Sequence, residues 1–215
     1  VCSLGTSPPF YTKFLWDMAP EQAAHGGGVP VIVPSFGRDG CSAAWGDAAC
    51  VIPWTLYEYS GDRALLARHY PLMAGWVDYI TAMDGDDHGW RRHFHYGDWL
   101  ALDGTGSDSR QGGTDAAFVA ETQYRHSALL TARAARVLGK TEDAARYEAL
   151  AERLLADIRA EYFTPAGRCA VPTQTGLLLA LQDGNAPDPA RTARDLADRL
   201  KAADGKLQTG FVGTP

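Results

Sequence analysis

Two short motifs place tryptophan beside aspartate in segments without helical periodicity. One is Ala44-Trp45-Gly46-Asp47-Ala48. The other is Gly97-Asp98-Trp99-Leu100, preceded by His93-Phe94-His95-Tyr96. Sugars present apolar C–H faces and many hydroxyls. An indole offers a flat apolar surface to the first, and a carboxylate accepts hydrogen bonds from the second. Trp45, Asp47, Asp98 and Trp99 are therefore the candidate substrate-binding residues. Each has a plainer reading. Both tryptophans suit a core as well as a ligand. Asp47 stands just ahead of a helical pattern and suits an N-cap, whereas Asp98, between Gly97 and Trp99, is less easily explained that way.

Other chemistries find little support. His88, His93 and His95 suggest a metal cluster, but His93-x-His95 lacks a convincing third ligand. Asp84, Asp86 and Asp87 with Gly85 miss the D-x-D-x-D-G-x5-E spacing of a calcium loop and read as a solvated turn. No cofactor is demanded. Cys2, Cys41, Cys50 and Cys169 form no C-x-x-C pair and read as free thiols, which leaves the compartment open. There is no G-x-S-x-G nucleophile elbow and no phosphate-binding G-x-x-x-x-G-K-[ST]. Glu121 points either into the centre of a helical toroid or into solvent. Trp16, Trp54 and Trp76 lie in helical patterns and are expected in the core.

The elements that must position these residues are helical. From Thr141 to Tyr162, the residues Tyr147, Leu150, Ala151, Leu154, Leu155, Ile158 and Tyr162 recur at steps of three and four and form one apolar face. Thr141 is the expected N-cap, with Glu142 and Asp143 near the positive end of the dipole. From Pro189 to Ala203, Asp188 caps, Pro189 takes the first position, Leu196 and Leu200 face inward, and Gly205 closes the end. Further helices are expected at Phe10 to His25, Asp47 to Ser60, Arg63 to Asp84, Asp115 to Leu138 and Thr173 to Asp183. Pro20 and Pro71 should kink or break two of them. Val29 to Pro34 reads as an extended segment, and a short strand fits Trp90 to His95.

Short joints at Ser60-Gly61-Asp62, Leu138-Gly139-Lys140 and Gly184 to Asp188 alternate with long loops at Gly26 to Gly46, Gly85 to Thr114 and Thr164 to Pro172. Helices joined this way stack as hairpins with the long loops on one face. The fold class is all-α, and an α/α toroid is the natural closed arrangement. No short-repeat solenoid is evident.

The chain has 215 residues, 46% apolar and 21% charged, enough for one domain with a real core. The net charge is -6, from 26 acidic and 20 basic residues, with no basic stripe. That argues against nucleic acid as a partner. No apolar run is long enough to cross a bilayer. Val1 to Gly5 has neither a basic nor an apolar leader region and no initiator Met, so the native start is expected elsewhere.

The ordered motifs resemble a known family. They are Glu21-Gln22, Val29-Pro30-Val31-Ile32-Val33-Pro34, Ala44-Trp45-Gly46-Asp47-Ala48, Ile52-Pro53-Trp54-Thr55-Leu56-Tyr57, Tyr59-Ser60-Gly61-Asp62, Gly97-Asp98-Trp99-Leu100, Leu138-Gly139-Lys140 and Thr209-Gly210-Phe211-Val212-Gly213-Thr214. Together they resemble the six-hairpin catalytic domain of bacterial and fungal α-L-rhamnosidases, glycoside hydrolase family 78. The resemblance covers nearly the whole chain. It implies an (α/α)6 barrel, of which about seven of twelve helices lie here, truncated at both ends. It also implies removal of terminal α-L-rhamnose from glycosides and polysaccharides with inversion. Inversion uses a protonated carboxyl and a carboxylate about 6.5–9.5 Å apart. In the family the acid lies in a D-E-R segment ahead of the stretch matching Val1, and the base is a Glu well after the Thr-Gly-Phe element. No catalytic residue is therefore assigned within the chain, which on its own is expected to be inactive. Trp45 and Trp99 carry over as aromatic sugar contacts, and Asp47 and Asp98 as hydroxyl or scaffold contacts. Two alternatives remain: another glycoside hydrolase on the same barrel, or a non-catalytic carbohydrate-binding helical domain.

Overall fold

Among the described residues, eight α-helices account for most of the chain. In a computed structural model that describes residues 7–37, 40–104 and 110–214, they are α1 (Ser7–Ala24), α2 (Ala48–Ser60), α3 (Arg63–Asp84), α4 (Gly89–Arg92), α5 (Ala116–Leu138), α6 (Thr141–Tyr162), α7 (Gln174–Leu181) and α8 (Pro189–Ala202). The reading of Cys2 and of the first residues lies outside the described part. Among the described residues there is no strand, only isolated bridges at Pro30–Cys41 and Phe163–Cys169. The all-α expectation holds, and all seven expected helices form within a few residues of their expected bounds.

The chain divides into two compact units. One comprises Val1–Trp90 and Tyr124–Ala151; the other comprises Arg91–Gln123 and Glu152–Pro215. In the first, α2 and α3 form a hairpin on a tight joint. Gly61 turns with φ 67° and donates to the Tyr57 carbonyl, and the Asp62 carboxylate caps α3 by accepting the Leu65 N–H at 2.9 Å. Along α3 the residues Leu66, Tyr70, Met73, Val77 and Ile80 are buried at helical spacing. Each such burial stabilises by about 1.5–3 kcal/mol. α1 packs on both, and Gln22 Nε2 donates to the Leu72 carbonyl at 2.9 Å. The α5–α6 turn lies in the same unit, tied by Arg125 Nε donating to the Ala151 carbonyl at 3.1 Å.

In the second unit Phe118, Val119, Ile158, Tyr162, Phe163, Val171, Leu177 and Leu179 make one core cluster, with Leu196 and Val212 packed against it. The Thr173 hydroxyl caps α7 by accepting the Gly176 N–H, and the Asp188 carboxylate caps α8 by accepting the Arg191 N–H at 2.9 Å. Gly205 turns with φ 72° and donates to the Leu200 carbonyl.

Several local expectations are corrected. The strand expected at Trp90 to His95 is absent. The one-turn α4 winds there instead, with Trp90 buried edge-on to Trp76 at 5.7 Å. Thr141 is the first helical residue of α6, not its cap, because the Lys140 carbonyl already accepts the Ala144 N–H. α1 and α3 run through Pro20 and Pro71 without a break. Leu72, Met73 and Trp76, just beyond Pro71, are buried, and tertiary packing outweighs one lost backbone bond. Val29 to Pro34 bends rather than running extended, holding one bridge at Pro30. Trp16 is not a core residue: it is 55% exposed, with the Arg68 guanidinium 5.9 Å from its ring.

Candidate functional site

Asp47 begins α2 without capping it. Its φ and ψ are already helical, and its side chain makes no cap bond. The carboxylate is 2% exposed and turns inward. Oδ1 accepts from Trp76 Nε1 at 2.8 Å and from the Ser127 hydroxyl at 2.7 Å, while Oδ2 accepts the Ala44 N–H at 2.7 Å. Ala44 has φ 69°, a left-handed conformation that costs a non-glycine residue energy. The bond from Asp47 holds that turn, and the turn presents the half-buried Trp45. Gly46 is required between them, because a Cβ there would overlap the Trp76 ring.

Asp98, in the other unit, is 0% exposed. Oδ2 accepts from the Thr175 hydroxyl and from the Gly210 N–H at 2.8 Å; Oδ1 accepts the N–H groups of Val212 at 2.8 Å and Gly213 at 3.2 Å. Trp99 is half-buried and stands edge-on to Tyr96 at 5.3 Å, which stands edge-on to Phe94 at 5.2 Å. The next residue, Leu100, has φ 62°, a strained conformation for a bulky side chain, and its N–H donates to the Arg110 carbonyl at 2.5 Å. Both motifs thus set a buried aspartate beside a half-buried tryptophan, but Asp47 holds the left-handed turn of its own motif, whereas Asp98 holds the Gly210–Gly213 turn.

Trp45 and Asp47 are brought together in one unit, and Asp98 and Trp99 in the other. Sequence reasoning did not identify Trp76, Ser127 and Thr175 as partners of the aspartates, because these bonds span 29, 80 and 77 residues. Glu121 does not point to solvent. It is buried, with Arg91 Nη1 at 3.5 Å, and Glu161 also lies 3.4 Å from that guanidinium nitrogen. Burial works against the Arg91 charge, but Glu121 and Glu161 outweigh it and raise its pKa. The Tyr162 hydroxyl is pushed up by burial and then by Glu121.

Cys41, Cys50 and Cys169 are buried free thiols, and burial pushes Cys50 up to about 12, so none is poised as a nucleophile. His95 is buried and His93 exposed, their rings 5.7 Å apart. Among the described residues no group of three His, Cys, Asp or Glu side chains is placed to hold a metal ion, and no helix is long and apolar enough to cross a membrane.

Comparison with known proteins gives this geometry a setting. Residues 5–215 match the model of the bacterial alpha-L-rhamnosidase six-hairpin glycosidase domain. The chain is 37% identical over 214 residues to an alpha-L-rhamnosidase of Streptomyces avermitilis, which covers 97% of this chain and 19% of that protein. It is 33% identical over 200 residues to an alpha-L-rhamnosidase of Formosa agariphila, covering 91% of this chain and 21% of that protein. The crystal structure of the Aspergillus terreus alpha-L-rhamnosidase superposes with a TM-score of 0.87 at 29% identity, over 97% of this chain and 25% of that one. The Streptomyces avermitilis enzyme, solved complexed with L-rhamnose, gives 0.85 at 35% identity over 97% of this chain and 19% of that one. The chain spans about a fifth of the length of the curated relatives it matches. With its all-helical architecture and both tryptophan–aspartate motifs inside the matched span, the chain belongs to the bacterial α-L-rhamnosidase six-hairpin glycosidase domain family.

Proposed function

We propose that the protein containing this chain removes terminal, non-reducing α-L-rhamnose from glycosides or polysaccharides, with inversion at the anomeric carbon. The observation that carries the reading is the family match over residues 5–215, within which both tryptophans lie at the surface beside aspartates that are buried. In this reading residues 1–215 are part of a larger six-hairpin catalytic domain. They supply sugar-binding surface in each unit, with Trp45 in one and Trp99 in the other each offering an apolar face to sugar C–H groups. Asp47 and Asp98 act from beneath, because their oxygens are already occupied by protein donors. The general acid and base, about 6.5–9.5 Å apart in an inverting enzyme, come from segments outside these residues. The chain alone therefore does not turn over substrate.

The longer protein should release p-nitrophenol from an aryl α-L-rhamnoside, and proton NMR should show the β-anomer of rhamnose as the first product. No turnover by the well-folded protein overturns the reading. Faster turnover of a different sugar in a panel of aryl glycosides replaces the substrate, and saturable rhamnose binding without hydrolysis leaves a carbohydrate-binding domain.

A further inference from the structure

The turn Gly210-Phe211-Val212-Gly213 is seated on the Trp99 loop. Asp98, wholly buried, accepts the N–H groups of Gly210, Val212 and Gly213, and the Trp99 carbonyl accepts the remaining one, that of Phe211, at 2.8 Å. A second backbone bond runs from the Leu102 N–H to the Gln208 carbonyl at 3.1 Å. The hydroxyls of Thr209 and Thr214 meet across the base of the turn. Gly210 cannot be replaced without movement, because a Cβ there would overlap the Trp99 carbonyl and the backbone of Asp98 and Ala101. The Val212 side chain packs against the core cluster. Phe211, between these fixed points, is 64% exposed.

Every amide of this turn is thus committed to Asp98 or Trp99. The turn offers a ligand no N–H, and the large side chain that it exposes is the Phe211 ring. That ring has the same chemistry as Trp99, a flat apolar surface for sugar C–H groups. We infer that Phe211 is a further sugar-contacting residue, held next to Trp99 by Asp98 as a positioning residue; the inference rests on the rhamnosidase reading above. Its ligand is the apolar face of a deoxy sugar, whose C–H groups and methyl present no hydrogen-bonding demand.

The test uses the longer protein and an aryl α-L-rhamnoside. Phe211→Ala should raise KM about fivefold, the worth of one aromatic contact, with kcat within about twofold of wild type and an unchanged melting temperature. Phe211→Trp should restore KM. Asp98→Asn puts an amide N–H among N–H donors and should raise KM in the same direction. Wild-type KM in Phe211→Ala overturns the inference while leaving the rhamnosidase reading intact. A wild type that neither binds nor hydrolyses a rhamnoside overturns that reading, and the inference with it.

Discussion

The Asp98 carboxylate accepts the backbone N–H of Val212 at 2.8 Å across 114 residues of sequence. With Gly213 on the same oxygen, and Thr175 and Gly210 on the other, each oxygen has two donors. An ionised carboxylate left unpaired in such a place would cost several kcal/mol. Asp98→Ala removes the charge but leaves three N–H groups, one buried and two half-buried, without an acceptor. Each such group costs about 1–3 kcal/mol. A loss of at least about 3 kcal/mol in a urea melt is expected; a loss below about 1 kcal/mol would contradict the bond network.

Asp47 and Asp62 stand in the same relation to a helix start but do different work. Asp62 is a true cap on Leu65, and Asp62→Ala should cost about 1 kcal/mol. Asp47→Ala would strand the Trp76 indole N–H and the Ala44 N–H. It should cost about 2–4 kcal/mol and release Trp45 from its left-handed turn. Equal effects of the two substitutions on the unfolding midpoint would refute the distinction.

Trp45→Ala and Trp99→Ala should each weaken rhamnoside recognition by about five- to tenfold in KM. Stability should change less than in Asp47→Ala, because both rings are only half-buried. Isothermal titration with L-rhamnose checks the binding, and unchanged affinity in both variants removes the tryptophans from the site.

His69 is buried on α3, and its Nε2 has no hydrogen-bond partner among the described residues. Burial lowers its pKa below 6.5, with the nearby Arg68 charge adding to the effect. The unfolded chain therefore binds more protons than the folded one below about pH 6.5. The stabilisation from a neutral His69 is complete above that pH and is lost as pH falls toward the folded value. Stability should drop on acidification by up to about 1.4 kcal/mol per pH unit from this one group. His69→Leu should flatten that part of the profile, and an identical profile in the variant would rule His69 out as its source.

The 215-residue chain by itself is expected to associate or to melt without cooperativity. Phe10 is 67% and Trp16 55% exposed on α1, beside a groove lined by Pro9, Thr12 and Lys13. Exposed apolar surface of this kind favours self-association. Sedimentation showing a monodisperse monomer with a sharp thermal transition would contradict this.

What could be read in the sequence was what depends on near neighbours. The face of α6 through Tyr147, Ala151, Leu154, Ile158 and Tyr162 follows from spacing alone, and all five are buried. So does the start of α8, because Asp188 and Pro189 act within one turn. The candidate sugar residues were recognisable by type but not by role. Asp47 carries the local signature of a cap, yet Trp76 and Ser127 claim it from distant helices. The strand expected at Trp90 to His95 failed for a similar reason. Its aromatic and histidine residues suit a strand, but burial of Trp90 against Trp76 decides the local winding. Trp16 has helical spacing like Trp76, and spacing does not say which helical face finds a neighbour.

The long reach of Asp98 also sets an order of events at the ribosome. Gly213 follows Asp98 by 115 residues. At about 5–20 residues per second, roughly 6–23 s of synthesis separate them. Through that interval the nascent Trp99 loop has no turn to dock on, while the α2–α3 hairpin upstream already has all its residues. The Trp99 loop therefore takes its final shape only after the helices made before Gly213 are complete.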